Sequence, residues 1–119
     1  MKQIIPTNSG SLTGASVGAS TAAAGSTYAD ATALPAGTAT TYPVTGADDA
    51  KGVILDVADK VKGRLIFVAN LVSNKILKVY APAGGTINGA AANAAFSSAS
   101  GKGVIIQCID ATTNAWAAW

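Results

Sequence analysis

The sequence contains no histidine and no glutamate. Histidine is the commonest general base and a frequent metal ligand at neutral pH, so its absence removes the usual route to acid–base or metal chemistry. Asp48 and Asp49 are adjacent, but adjacent side chains on a strand point to opposite faces, so a solvated turn is the favoured interpretation. We therefore predict a non-enzymatic protein with no catalytic, cofactor-binding or metal-binding residues, and we disfavour a small hydrolase. The acidic residues are Asp30, Asp48, Asp49, Asp56, Asp59 and Asp110.

Only one cysteine is present, Cys108, so no disulfide can form within the chain. It lies in the apolar run "GVIIQCI". Because no histidine is available to activate it, we expect a buried structural thiol rather than a nucleophile. A single thiol fits assembly in a reducing compartment.

Long hydrophobic runs are also missing, since no stretch reaches the roughly 18 consecutive apolar residues of a membrane helix. The N-terminal segment turns polar directly after Ile4 and Ile5 and so lacks the apolar core of a secretory signal. The sequence therefore predicts a soluble chain that is not exported by a signal peptide and has no membrane partner.

Charged residues are few and carry little net charge, +2 from eight basic and six acidic side chains. Binding to nucleic acid needs clustered lysines and arginines that release counterions from phosphates. The nearest approach to such a cluster is "KVKGR", residues 60–64, which we interpret as a solvated hairpin turn between two strands. No nucleic-acid partner is predicted.

Residues 1–27 are rich in serine, glycine, alanine and threonine and show no sustained hydrophobic period. Such a segment buries too little area to order itself, so it is either a disordered tail or a segment that orders against a partner. From Tyr28 the composition changes, with possible extended pieces at 27–34 and 38–44. We predict an extended, low-complexity N-terminal arm at 1–45.

The sequence beyond the arm is predicted to be all-β. Its apolar stretches are short, rich in β-branched residues and bounded by turn-forming residues. Short strands at this spacing are typical of a small antiparallel β-sandwich, a jelly-roll-like domain or a barrel. We predict a β-sandwich domain at 46–119. The expected strands are 51–58, 63–72, 74–82, 102–111 and 115–119.

The stretch 102–111 allows two registers. In the first, Val104, Ile106 and Cys108 face the core, and in the second Ile105 and Ile109 do.

Aromatic residues are scattered along the chain, too far apart in sequence to predict a carbohydrate or single-strand stacking surface. Trp116 is expected in the core, whereas Trp119 is expected at a contact or partly exposed. The other candidates for stacking are Tyr28, Tyr42 and Tyr80.

Residues 63–119 resemble a small β module that recurs in virion structural proteins of tailed bacteriophages. The likeness is carried by an apolar strand that ends at Asn70, "ILKVYAP", the turn "GGTING", a Ser/Gly-rich loop, "VIIQCI" and a closing Asp-Ala-Thr-Thr with Trp116. In such a module "PAGGTING" is expected to be a tight turn. Gly84 and Gly85 would take backbone conformations that other residues resist, and Ile87 would pack onto the core.

The resemblance implies a non-enzymatic virion protein, since such modules occur in head decoration (cement) proteins, head fibres and tail-associated proteins, many of them trimers. The short chain, without heptads or a long fibrous repeat, favours a decoration protein that binds the major capsid protein and stabilises the head. We expect a homotrimer on the capsid exterior of the virion, assembled in the host cytoplasm. The alternative is a head-fibre or tail receptor-binding module that recognises a host-surface glycan.

Contact residues follow from the decoration interpretation. The arm would meet the capsid surface through its few large side chains, because apolar residues in a low-complexity segment are natural anchors. The expected capsid contacts are Lys2, Ile4, Ile5 and Leu12, and the expected subunit-interface residues are Trp116 and Trp119.

Overall fold

The structure, a computed structural model, describes residues 16–35 and 39–119. Within these ranges the chain forms short β-strands and two single-turn 3-10 helices, Tyr28–Asp30 and Val57–Asp59. The strands are β1 (Thr21–Ala22), β2 (Thr32–Ala33), β3 (Thr41–Thr45), β4 (Gly52–Ile54), β5 (Leu65–Asn70), β6 (Lys78–Tyr80), β7 (Thr86–Ile87), β8 (Phe96–Ser97), β9 (Val104–Asp110) and β10 (Ala115–Ala118).

The strands form a β-solenoid of about four turns. In the larger sheet β1, β3 and β5 pair in parallel, and in the smaller sheet β2, β4 and β6 do the same. The chain thus alternates between two sheets and moves along by one strand in each sheet with every turn. Thr21 lies opposite Val44, and Thr41 lies opposite Phe67.

The last turn reverses direction. β8 pairs antiparallel with β6, and β9 pairs antiparallel with β5. β10 then returns antiparallel along β9, and β7 adds a parallel edge to β10. The result is a six-stranded sheet in the order β1-β3-β5-β9-β10-β7 and a four-stranded sheet in the order β2-β4-β6-β8.

The predicted all-β class is confirmed, but the antiparallel β-sandwich, jelly-roll-like or barrel architecture is wrong. The parallel pairing of the first six strands overturns it. Turn-forming residues between short strands mark a change of direction without showing whether the chain returns along the same sheet or crosses to another. Here the chain crosses to the other sheet, so a segment that was predicted as a hairpin turn is a solenoid corner.

Residues 16–45, which composition assigns to the arm, contribute β1, β2 and β3 to the same two sheets as the later strands. Val17 adds an isolated parallel bridge to Thr41. The predicted capsid contacts Lys2, Ile4, Ile5 and Leu12 lie outside the described residues.

Side chains that face inward from the two sheets form one core. On β5 and β9 the buried positions alternate with exposed ones. Of the two registers predicted for 102–111, the first is confirmed, because Val104, Ile106 and Cys108 are buried. The largest fully buried side chains are Tyr42, Leu55, Ile66, Leu77, Ile106, Val44, Val53, Val68, Val79, Val104, Asp59 and Cys108.

Residues 60–64 form the corner that leads from β4 to β5. The hairpin predicted there is therefore wrong, whereas the predicted solvent exposure is found at residues 61–63. Arg64 Nε donates to Asp59 Oδ1 at 3.0 Å, and an Arg64 Nη donates to the Ala39 carbonyl oxygen at 2.6 Å. Asp59 is almost completely buried. Its burial raises the pKa of the carboxyl group, and the Arg64 guanidinium opposes that rise. This buried pair ties one solenoid turn to the next.

The Asp59→Asn variant should reveal the raised pKa of Asp59. A carboxyl group whose pKa is higher in the folded than in the unfolded chain contributes stability below the unfolded value, about 3.9, and that contribution is lost as the pH rises through the folded value. A tenfold difference in acid dissociation constant is worth about 1.4 kcal/mol. We therefore expect the thermal midpoint of wild type, measured between about pH 3 and 7, to fall relative to that of D59N as the pH rises.

The difference between the two proteins isolates Asp59, since hydrogen bonds from backbone amides hold the pKa of Asp48, Asp49 and Asp110 below its usual value in both. A midpoint difference that stayed constant, or that moved in favour of wild type as the pH rose, would show that the Arg64 charge outweighs burial.

Candidate interaction surface

The six-stranded sheet has a second side, opposite the core, that carries large apolar side chains. Leu65 and Phe67 of β5 and Ile105 and Ile109 of β9 are exposed there, as is Trp119, which directly follows β10. Alternation along each strand places these side chains on the side away from the core. We call this side the outer face. Its positions are Thr41, Pro43, Thr45, Leu65, Phe67, Ala69, Ile105, Gln107, Ile109, Ala115, Ala117 and Trp119, together with Asp110, which a β-bulge places beside Ile109 opposite Ala115.

Strand register brings the largest of these side chains into one row. Ile105 lies opposite Phe67 across the β5–β9 pair. On its other side Ile105 exchanges both backbone hydrogen bonds with Trp119, at 3.3 Å and 2.9 Å. Phe67 and Ile105 are each 40% exposed and Trp119 is 62% exposed. Directly paired side chains on neighbouring strands are close enough to touch, so the three form a continuous apolar ridge across three strands.

Smaller side chains flank this ridge on one side. Gly103 lies there against Ala69, since an ideal Cβ on Gly103 would be 3.4 Å from the Ala69 Cα. On the other side Gln107 lies opposite both Leu65 and Ala117. The ridge therefore stands beside one shallower row, that of Ala69 and Gly103.

Asn88, which directly follows β7, closes the edge of β10 beyond the residues that β7 pairs with. The Asn88 side chain accepts a hydrogen bond from the Ala118 amide at 2.9 Å and donates one to the Ala118 carbonyl oxygen at 3.0 Å. It thus replaces a strand neighbour for Ala118. Asn93 Oδ1 accepts from the Gly84 amide at 2.8 Å and holds the segment between them together. An unpaired sheet edge invites pairing with other chains, and Asn88 blocks that route here.

The turn predicted in "PAGGTING" is present. Gly84 has φ +84°, a conformation that side chains disfavour, and Ile87 is buried. Gly85 is required for a different reason than the one predicted. Its φ is not in the left-handed region, but an added Cβ would lie 2.6 Å from the Ala81 Cβ.

The two tryptophans predicted at a subunit interface occupy different places. Trp116 faces the core, where its Nε1 donates to Asn114 Oδ1 at 2.8 Å. Trp119 lies on the outer face. Tyr42 and Tyr80 are also buried, and Tyr28 packs edge-on against Tyr80 with ring centroids 5.7 Å apart. Only part of the aromatic set is therefore available to a ligand.

The carboxylate and thiol side chains that could take part in catalysis or metal binding make structural hydrogen bonds or are buried. Asp48 accepts from the amides of Lys51 and Ala50, and Asp49 Oδ1 accepts from the Ile76 amide at 2.8 Å. Cys108 is buried, as predicted, and burial raises the pKa of its thiol. Within residues 16–35 and 39–119 there is no pocket and no group of acidic or cysteine side chains placed to hold a metal ion.

Sequence reasoning did not find the apolar ridge on β5 and β9. Both strands are apolar on both sides, so their composition could not reveal which side chains face outward. The confirmed inward register of Val104 and Ile106 would have been enough to place Ile105 on the outer face.

Comparisons with protein-family models, with curated proteins and with solved structures found no match to this chain. Among its described residues, no helix is both long and apolar enough to cross a membrane.

Proposed function

We propose that this protein is a non-enzymatic capsid decoration protein of a tailed bacteriophage, which binds the outer capsid surface and stabilises the head. The observation that carries the proposal is the outer face, which includes five exposed large apolar side chains and, among its described positions, one charged side chain, Asp110. Contiguous exposed apolar patches on small proteins commonly mark sites of protein–protein contact. Decoration requires such contacts and no bond-making chemistry.

The phage assignment is supported by the resemblance of residues 63–119 to a virion module. In the structure this segment supplies β5 to β10, and therefore most of the outer face. The glycan-binding alternative draws on aromatic side chains, of which Tyr42, Tyr80 and Trp116 are buried. Protein contact is accordingly the better-supported role.

Sedimentation with capsids tests the proposal. Expanded heads are prepared without this protein from a phage that encodes it. The purified protein is then added, and the heads are pelleted. Stoichiometric co-sedimentation that saturates at a fixed number of copies per capsomer is expected. Protein that stays wholly in the supernatant at concentrations well above those of the capsomers would refute the decoration role.

Deleting residues 1–15 should weaken capsid binding without unfolding the domain. The Ser16 carbonyl oxygen accepts hydrogen bonds from the amides of Thr40 and Thr41 at 3.0 Å and 2.9 Å, so a chain that begins at Ser16 keeps this link to the solenoid. Ile4 and Ile5 would each contribute about 1.5–3 kcal/mol if buried in the partner, before ordering costs. We expect capsid affinity to fall at least about tenfold, equal to roughly 1.4 kcal/mol, with the thermal midpoint nearly unchanged.

The same truncated protein separates the alternatives for this segment. Unchanged affinity would refute its role as an anchor, even for a protein that decorates capsids. A lowered thermal midpoint would show that residues 1–15 belong to the folded core. A longer deletion through residue 27 would also remove β1 and is therefore unsuitable.

A further inference from the structure

We propose that the outer face is the contact between copies of this chain. The proposed function also rests on this face. Here the face is assigned to contact between copies, which leaves capsid contact to residues such as Ile4 and Ile5, and self-association can be measured without capsids. The ridge of Phe67, Ile105 and Trp119 would be buried against the outer face of a second copy.

The charge of the outer face favours a copy of the same chain as the occupant. When identical surfaces meet about a symmetry axis, a charged side chain near the axis faces its own counterpart and is repelled. The ridge and the outward positions directly beside it carry no charged side chain. The charge on the outward positions of β3, β5, β9 and β10 is that of Asp110, which lies opposite Ala115 at the end of β9 far from the ridge. Self-association requires a contact region without like charges that face each other, and the ridge meets this requirement. A partner surface of opposite charge would not require it.

The relief of the outer face also fits a second copy. The ridge is raised, and the adjoining row at Ala69 and Gly103 is shallow. Two copies turned relative to each other could place the ridge of each one over the shallow row of the other. Sheets that pack face to face interdigitate their side chains in this way, at a separation of about 10 Å.

The size of the outer face sets the strength of the contact. Four strands spaced about 4.8 Å apart, each with about six residues in the contact, span roughly 20 Å by 20 Å, or on the order of 400 Å² per copy. Stable interfaces bury about 800 Å² per partner. The face alone therefore supports a weak complex that forms at micromolar concentration and dissociates on dilution.

Sedimentation velocity of the full chain between about 1 and 200 µM tests this inference. Wild type should change from a monomer to a dimer over that range. Ile105→Lys places a charge on the ridge and should weaken association by at least tenfold. Phe67→Thr replaces the aromatic ring with a β-branched residue that strands favour, so it serves as a second ridge variant whose fold is less at risk.

Val57→Lys is the matched control. Val57 is 63% exposed but lies in the corner after β4, away from the outer face, so this variant should associate like wild type. Circular dichroism and the thermal midpoint establish that each variant is folded. The inference is overturned if wild type stays monomeric throughout, if folded I105K or F67T associates as wild type does, or if V57K loses association to the same extent.

Discussion

Replacing Asn114 with alanine should lower the free energy of unfolding by about 3–5 kcal/mol. The Asn114 side chain is buried and makes three hydrogen bonds. Its Nδ2 donates to the carbonyl oxygens of Pro82 and Ala83 at 3.1 Å and 3.0 Å, and its Oδ1 accepts from Trp116 Nε1 at 2.8 Å. Alanine would leave all three partners without this bond in a poorly hydrated region. Each such loss costs about 1–3 kcal/mol, partly relieved by water.

The backbone at Asn114 adds to this cost, because its φ of +56° is one that asparagine tolerates better than alanine. Asn74→Ala is the matched control, since Asn74 is exposed and has a similar φ of +61°. Urea unfolding should show a loss of about 1 kcal/mol for N74A and a markedly larger loss for N114A. Equal losses would mean that the buried hydrogen bonds of Asn114 contribute nothing beyond its backbone conformation.

Gly103→Ala should destabilise the protein by about 2–4 kcal/mol, since overpacking and a lost ladder hydrogen bond would add together. A Cβ at this position would lie 2.5 Å from the Val68 carbonyl oxygen, a distance that real Cβ atoms essentially never show. The obstacle is the backbone of β5, which cannot rotate away as a side chain would. Either β9 or β5 must then shift in the middle of the six-stranded sheet.

Gly63→Ala provides the contrast for this prediction. Gly63 has φ +87°, and its added Cβ would meet nothing within 4 Å, so only backbone strain of about 1 kcal/mol is expected. The free energy of unfolding, measured with urea on both variants, should fall further for G103A than for G63A. The reverse order would show that the β5–β9 ladder accommodates a methyl group at little cost.

Strand positions were predictable from the sequence, but strand partners were not. The apolar stretches 63–72 and 102–111 contain β5 and β9, and alternation in the second stretch offered the correct inward side chains as one of two registers. Alternation fixes faces, yet it carries no information about whether a neighbour runs parallel or antiparallel. Successive solenoid turns also differ in sequence, with Thr41 stacked beside Phe67, so no repeat signals the coil.

The low-complexity composition before residue 46 hid the first solenoid turns. Ala22 and Thr32 offer little area to bury, and such segments are expected to remain extended. In the fold they are paired by backbone hydrogen bonds with neighbouring strands, and larger side chains such as Leu34 and Val44 supply the buried area. Tertiary pairing outweighs local composition here, as it often does for strands.

The buried contacts of Asn114 could not be predicted from the sequence either. Its place in "DATTNAW" predicts a turn, but nothing in the sequence places its side chain against Pro82 and Ala83, 31 or more positions earlier. The outer face was hidden for a related reason. An apolar residue on an apolar strand is predicted to be buried, and only the arrangement of the described strands shows that Phe67 faces away from the core.

Electron cryomicroscopy of heads mixed with the protein tests the proposed function most directly. Added density is expected on the outside of the capsomers, in which the outer faces of neighbouring copies meet and the chain runs from Ser16 towards the shell. Density confined to the tail or to fibres, or heads that carry no added density at saturating protein, would contradict it.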